Sequence, residues 1–481
     1  MNLQLITLEL LVGALGLLVL LADLFLPARN KAPLGYAAAA GLLVVLAWSF
    51  AGFGAGADYA FGGMYVLDPL ALFFKRFFLV AAFLVLLISI EFSDRLSAGH
   101  GEYYSITLFA LLGMLFAASA NHFALLFVSL ELITVSFYVL VGFQRTRLLS
   151  LEAGVKYLII GALSTGFTVF GIALVFGTTG SMEFPAVMKA AGSLVENRML
   201  QIGTLFVLVG LGFKIAAVPV QIWAPDVYQG APTPTTAWLA IGSKAAGFVL
   251  LLRVLFSAMP DLTVHWANLL IWISAATILY GNLCAIPQRN IKRLLGYSSI
   301  AHAGYLLMGI SALSAEGQSA VLYYLSGYLF TVLAAFAVIC VVLRHVDGDD
   351  VSAFAGLSQR SPLLAAGMAF SMVSLAGIPP LAGFTGKFLL IKAVLAEGEA
   401  NTGYYCLAFT AIAGVVMSIY YYFGVVRAIY TSENTADTGA IGISIPTRGL
   451  LLLCMVGILL IGVYPQPLLE AAQAAVAGLA R

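Results

Sequence analysis

Residues 210–247 read GLGFKIAAVPVQIWAPDVYQGAPTPTTAWLAIGSKAAG. The stretch opens inside an apolar run, carries Lys214 and meets Pro219 five residues later. It continues through Trp223, Pro225 and Asp226, then returns to an apolar run that holds Lys244. Proline lacks a backbone donor and clashes with the preceding turn, so it breaks or kinks a helix. In a bilayer such a break persists only where the freed backbone groups lie within protein or line a wet cavity. Lysines on either side of it are costly in hydrocarbon, and their default reading is a path for ions or protons.

The surrounding composition fits a membrane chain. Of 481 residues, 62% are hydrophobic and 9% charged, where a soluble protein carries about 25% charge. The fold class expected is an all-α polytopic membrane protein. A net charge of +1 gives no electrostatic case for nucleic acid or an acidic partner. The first apolar run, Leu3 to Leu26, has neither a basic leader nor a small-residue cleavage site, and it is long enough to span, so it reads as a retained helix. Cys284, Cys340, Cys406 and Cys454 are isolated, which leaves no C-x-x-C metal or redox pattern. Glycine-rich dinucleotide and Walker signatures are also absent. No cofactor or metal is expected in this chain, so any redox or ATP chemistry that drives it belongs to other chains.

Apolar runs of about 20 residues punctuated by polar turns suggest about 14 spans. Their expected limits are 3–26, 33–53, 69–90, 104–120, 122–142, 152–178, 199–222, 233–257, 264–285, 291–313, 318–344, 361–392, 403–430 and 448–470. Loops after odd-numbered spans hold most of the basic residues, among them Arg145, Arg147, Arg289, Lys292, Arg293 and Arg344. Basic loops stay cytoplasmic, so both termini are expected on the periplasmic side. A second proline-interrupted run, AGIPPLAGFTGK at Ala376–Lys387, contains Pro379 and Pro380 and falls in the twelfth span. Two broken spans offset by five helices imply repeats of opposite orientation, spans 4–8 and 9–13, as in inverted-repeat transporters. The corresponding divisions are 1–103, 104–257, 258–430 and 431–481.

Glu131 lies mid-span in LLFVSLELITVSF, and Lys214, Lys244 and Lys387 occupy spans seven, eight and twelve. Lysine can exchange its proton when its surroundings change, and arginine cannot. Glu131 moving relative to Lys214 would modulate that exchange, while the plainer alternative is a fixed structural ion pair. His302, in GYSSIAHAGYLLMG, is either a satisfied core residue or a relay between the lysine groups. Lys156, four residues after Glu152, suits either the path or an i,i+4 surface pair. Lys75 and Arg76 are expected to snorkel to the interface. Asp226 suits a helix cap or a gate. The 21 tyrosines are expected to serve mostly packing and the interfacial belt.

Glu131, the KxxxxPVQIWAPDVYQGAP-like run, the Lys244 helix and AGIPPLAGFTGK together resemble the antiporter-like membrane subunits of bacterial NADH-quinone oxidoreductase, respiratory complex I. The resemblance covers essentially the whole chain and favours the N type, since Lys387 stands where the M type has glutamate and no long lateral helix follows span fourteen. It implies fourteen helices, five-helix inverted repeats and broken seventh and twelfth helices. It also implies that Glu131 modulates Lys214, that Lys244 connects and that Lys387 is distal. NADH, FMN, iron–sulfur clusters and quinone would lie in partner subunits, with K-type and M-type neighbours. The function implied is proton translocation in a bacterial inner membrane. Two alternatives are an Mrp-type cation/proton antiporter subunit and a structural spacer of the membrane arm.

Overall fold

The computed structural model describes residues 3–26, 31–51, 56–96, 99–346, 348–431 and 439–479. The chain is almost entirely helical. In order, α1 is Leu3–Phe25, α2 Ala32–Ala51, α3 Pro69–Phe92, α4 His100–Ala118, α5 Phe123–Val141 and α6 Leu148–Thr179. A short surface helix, α7 at Phe184–Ser193, precedes α8 at Arg198–Ile215. Beyond them come α9 (Ala224–Gly230), α10 (Thr233–Ala258), α11 (Pro260–His265), α12 (Ala267–Ala285), α13 (Ile291–Ser311) and α14 (Ala315–His345). The remainder is α15 (Pro362–Ala376), α16 (Ala382–Ala396), α17 (Gly403–Thr431), α18 (Ile445–Val463) and α19 (Gln466–Val476).

Twelve of these helices are long and apolar enough to cross a membrane, which makes the chain a multi-pass membrane protein. The most apolar windows of α10 and α14 are 94% buried, against 33% for α6 and 28% for α18. α10 and α14 therefore form the axis of the bundle, and α6 and α18 lie at its rim, apolar toward their surroundings as lipid- or subunit-facing helices must be.

Several boundaries differ from expectation. α8 stops at Ile215, short of the expected 222, and the twelfth segment divides into α15 and α16, separated by residues 377–381. In both places the helix ends three or four residues before its proline. The residues that end them, Ala216 (φ 60°) and Gly377 (φ 83°), are left-handed, and each closes its helix by donating back to the last turn. The proline then prevents the helix from resuming. The expected end of span two, at 53, lies outside the described residues. The very short joint at Ala120–His122 is real: α4 ends at Ala118, α5 begins at Phe123, and the turn pairs with Tyr65 on one side and Glu183 on the other.

The face opposite the arginine-rich loops carries a small antiparallel hairpin, β1 (Asp58–Ala60) with β2 (Tyr65–Leu67). Asp68 follows it and caps α3 by accepting from the Ala71 amide at 2.8 Å. The same carboxylate takes a two-pronged grip from Arg253, at 2.8 and 3.0 Å, and Arg253 also donates to the Ala118 carbonyl. Lys75 does not snorkel. It is fully buried and bonds Glu9 of α1 at 2.7 Å and the Tyr65 hydroxyl at 2.5 Å. Glu9 is 66 positions away in sequence, so no local pattern pointed to the pair. A lysine with a buried carboxylate beside it has no reason to reach for water.

Candidate functional site

At the first break the chain turns out of α8 just after Lys214. Ala216 donates to the Phe213 carbonyl at 3.0 Å and Ala217 to Gly212 at 2.9 Å. The Trp223 indole also donates to the Phe213 carbonyl, at 3.0 Å, and the Val218 amide finds Thr277 Oγ1 at 3.1 Å. The freed backbone is thus satisfied by protein, as hydrocarbon surroundings require. The Val218–Pro219 peptide is cis.

Lys214 takes no part in that capping. Its stem is buried, and its ammonium donates to Thr134 Oγ1 of α5 at 3.0 Å. Glu131 stands on α5 one turn before Thr134 and accepts from Thr165 Oγ1 of α6 at 2.7 Å. Among the described residues no carboxylate lies within ion-pair distance of Lys214. The fixed Glu131–Lys214 pair weighed as an alternative is therefore not formed. Each group is held by a neutral hydroxyl, Lys214 by Thr134 of α5 and Glu131 by Thr165 of α6.

α10 packs closely on α8. A Cβ at Gly247 would lie 2.6 Å from Ile215 Cγ2 and 3.3 Å from Lys214 Cγ, so only glycine permits this approach. Lys244 stands one turn before Gly247. The five residues preceding it, Leu239–Ser243, form a π-helical segment inside α10. Such segments widen the helix locally and rotate the side chains that follow, and they recur at functional positions. The Lys244 ammonium bonds both the carbonyl and the hydroxyl of Ser299 on α13. Ser299 Oγ in turn meets the Tyr228 hydroxyl of α9 at 2.9 Å.

His302 lies one turn beyond Ser299. Its Nδ1 meets the Tyr324 hydroxyl at 2.5 Å and its Nε2 the Tyr422 hydroxyl at 3.0 Å, and Tyr422 also bonds Ser298. The imidazole ring centroid is 5.0 Å from that of Tyr328 and 6.0 Å from that of Tyr305. Lys244 faces the same Tyr328 ring, with its ammonium 5.9 Å from the centroid. Lys387 faces Tyr305 from the other side at 5.0 Å. His302, hydrogen-bonded to two tyrosines, thus packs against both of the rings that Lys244 and Lys387 face.

At the second break Lys387 projects from α16 back to the end of α15, where its ammonium donates to the Leu375 carbonyl at 2.6 Å. Gly377 is left-handed there. A Cβ on it would sit 3.1 Å from Lys387 Cδ and 3.4 Å from Nζ, so glycine serves both the turn and the lysine's passage. The Pro379–Pro380 peptide is cis.

Lys156 stands apart from this buried set. It is partly exposed and bonds Glu152 at 2.7 Å and Asp226 at 2.8 Å. Arg293 holds the other oxygen of Asp226 at 2.5 Å. These groups border a polar cavity of about 100 Å³ on the arginine-rich side of the molecule. The cavity connects by chain to the interior, because Tyr228, which reaches Ser299, lies between Asp226 and Gln229, both of which line it.

Sequence reasoning missed the hydroxyls. Tyr228, Tyr324, Tyr328 and Tyr422 are buried and aligned along Lys244 and His302, not spread over an interfacial belt. Their clustering comes from α9, α14 and α17 converging on α13, which no local pattern reveals. Ser298 and Ser299, in the GYSSIAHAGY run, were visible neighbours of His302 and the only local hint.

Comparison with known proteins places this geometry. Residues 120–418 match the family described as "NADH:quinone oxidoreductase/Mrp antiporter, TM". NADH-quinone oxidoreductase subunit N of Moorella thermoacetica is 40% identical over 467 residues, covering 97% of each chain. A chain in the structure of respiratory complex I from Thermus thermophilus with bound aureothin is 32% identical, covers 97% of this chain and 100% of its own, and superposes with a TM-score of 0.81. A chain of the Mrp complex from Dietzia shares the fold alone, at 20% identity, TM-score 0.83, and coverage of 100% of this chain and 98% of its own. The buried lysines and broken helices thus sit on an antiporter-like scaffold, and the chain belongs to the subunit N family of NADH-quinone oxidoreductase.

Proposed function

We propose that this chain translocates protons in the membrane arm of an NADH:quinone oxidoreductase, through Lys214, Lys244, His302 and Lys387. The observation that carries this reading is a set of three buried lysine ammonium groups whose hydrogen-bond partners are all neutral. An uncompensated ammonium away from water is costly. A set of them, spaced by hydroxyls and an imidazole, suits groups that hold a proton only part of the time. Glu131, held by Thr165 near the Lys214 contact, is placed to bias the first of them. The energy would arrive from neighbouring subunits, of K and M type, because the redox cofactors NADH, FMN, iron–sulfur clusters and quinone would reside elsewhere in the complex.

Protons would enter at the cavity bordered by Glu152, Lys156, Asp226 and Arg293, and pass Tyr228 and Ser299 to reach Lys244. Lys156 would then act at the intake and not on the buried axis. The basic loops on that side support a cytoplasmic assignment in a bacterial inner membrane, with both termini outside. The polar α13 and the broken α15–α16 pair, added to the twelve apolar spans, would complete fourteen. Spans 4–8 and 9–13 would be the two inverted repeats, within the divisions 1–103, 104–257, 258–430 and 431–481. The likeness to an Mrp complex keeps a second reading in view, a cation/proton antiporter subunit, which would exchange ions without any NADH-oxidising partner.

The test is proton pumping and NADH-quinone turnover measured together in membranes carrying Lys214→Ala or Lys214→Arg. With normal assembly, both variants are expected to lose coupled turnover, because arginine keeps its charge but releases no proton. Full coupled turnover with arginine would reduce Lys214 to a fixed charge and overturn the proposal.

A further inference from the structure

A second charged group on the opposite face has no counterpart in this path. Arg76, on the outward side of α3, donates to the Ser49 carbonyl at 2.8 Å and lies over the Phe50 ring at 4.3 Å. Ser49 is in the last turn of α2, so the guanidinium caps the end of that helix. Its Nε is buried with no hydrogen-bond partner, and among the described residues no carboxylate pairs with it. An arginine stays charged at any accessible pH, so one without a counter-ion at the membrane boundary calls for an anion.

The space beside Arg76 is apolar. A cleft of about 810 Å³ runs between α2, α3 and α14, lined by Leu46, Phe73, Phe77, Leu329 and Phe330, with Arg76 as the one charged residue among the described ones that line it. The amphipathic α19 lies across its outer end, presenting Leu468 and Ala471 to the cleft. An interfacial helix of this kind marks the headgroup level. One cation set among apolar walls matches an amphiphile with an anionic head and a hydrocarbon tail.

We propose that this cleft is a binding site for one anionic phospholipid of the outer leaflet. The phosphate would complete the hydrogen bonding of Arg76, and an acyl chain would descend past Phe77 and Leu46 between α3 and α14. Arginine and phosphate form charge-assisted, two-pronged bonds, so the pair gives orientation as well as affinity. The site uses none of the proton-path residues and does not depend on how they act.

The test takes the whole purified complex from vesicles of phosphatidylcholine containing phosphatidylglycerol, and counts retained phosphatidylglycerol by native mass spectrometry. Arg76→Gln is expected to lower its affinity about tenfold, the value of one charge-assisted contact. Ala471→Trp, which fills the cleft and leaves Arg76 in place, is expected to lower retention as well, so a folding defect at position 76 cannot produce both results. A photo-crosslinking residue at Leu72 should capture phosphatidylglycerol. Unchanged retention in both variants would overturn the proposal, and so would a crosslink from Leu72 to a carboxylate-bearing partner subunit in place of lipid.

Discussion

The two broken helices solve the same problem with different groups. At the first, an indole accepts the duty of capping: Trp223 bonds the Phe213 carbonyl, and Lys214 is left to reach a threonine on another helix. At the second, the lysine is itself the cap, with its ammonium on the Leu375 carbonyl. The left-handed residue is alanine in one case and glycine in the other. Lys214 is therefore free of backbone duty, while Lys387 combines a structural task with whatever charge it carries. The lysines at the two breaks need not be equally tolerant of change.

The sharpest way to break this contrast is to truncate both lysines. Lys387→Ala orphans a buried carbonyl and is expected to destabilise the chain by about 1–3 kcal/mol in addition to abolishing coupled turnover. Lys214→Ala leaves the Thr134 hydroxyl still donating to the Leu130 carbonyl and should leave thermal stability of the purified complex nearly unchanged while turnover is lost. Equal thermal shifts for the two would end the distinction. The left-handed residues should respond with opposite signs. Gly377→Ala forces a Cβ into that conformation and against Lys387, for an expected loss of about 1–2 kcal/mol, whereas Ala216→Gly removes the same penalty. Because glycine also stiffens less in the unfolded chain, the gain at 216 should be under about 1 kcal/mol, read as a small rise in unfolding temperature. The mildest change is Trp223→Phe, which keeps the ring and deletes one donor. It should cost about 1 kcal/mol and leave turnover intact unless the Phe213 carbonyl then recruits Lys214.

Much of this arrangement was legible in the chain. Long apolar runs, the two proline-containing breaks and the mid-span lysines are local features, and local features survive in sequence. The span limits departed from expectation where a left-handed residue ends a helix before its proline does, as at Ile215 and Ala376. What could not be read was everything that depends on which helices meet. Ser299 becomes a partner of Lys244 only because α13 crosses α10, and Tyr324 and Tyr422 become partners of His302 only because α14 and α17 close around it. The π-helical segment before Lys244 has no composition of its own: LAIGS reads as ordinary apolar helix. Lys75 looked like an interfacial lysine because its carboxylate partner lies in the first helix.

That buried Glu9–Lys75 bond bears on how the protein is made. A lone ionised side chain adds up to about 2.5–3.5 kcal/mol to the cost of placing a helix in the bilayer, and Glu9 of α1 and Lys75 of α3 are both fully buried within the bundle. Joined, the two charges neutralise one another and Tyr65 of β2 completes the contact. α1 emerges from the ribosome before α3, and its acidic residue has no partner until α3 follows. The first three helices are therefore expected to settle into the membrane as one unit, with the later arrival securing the earlier.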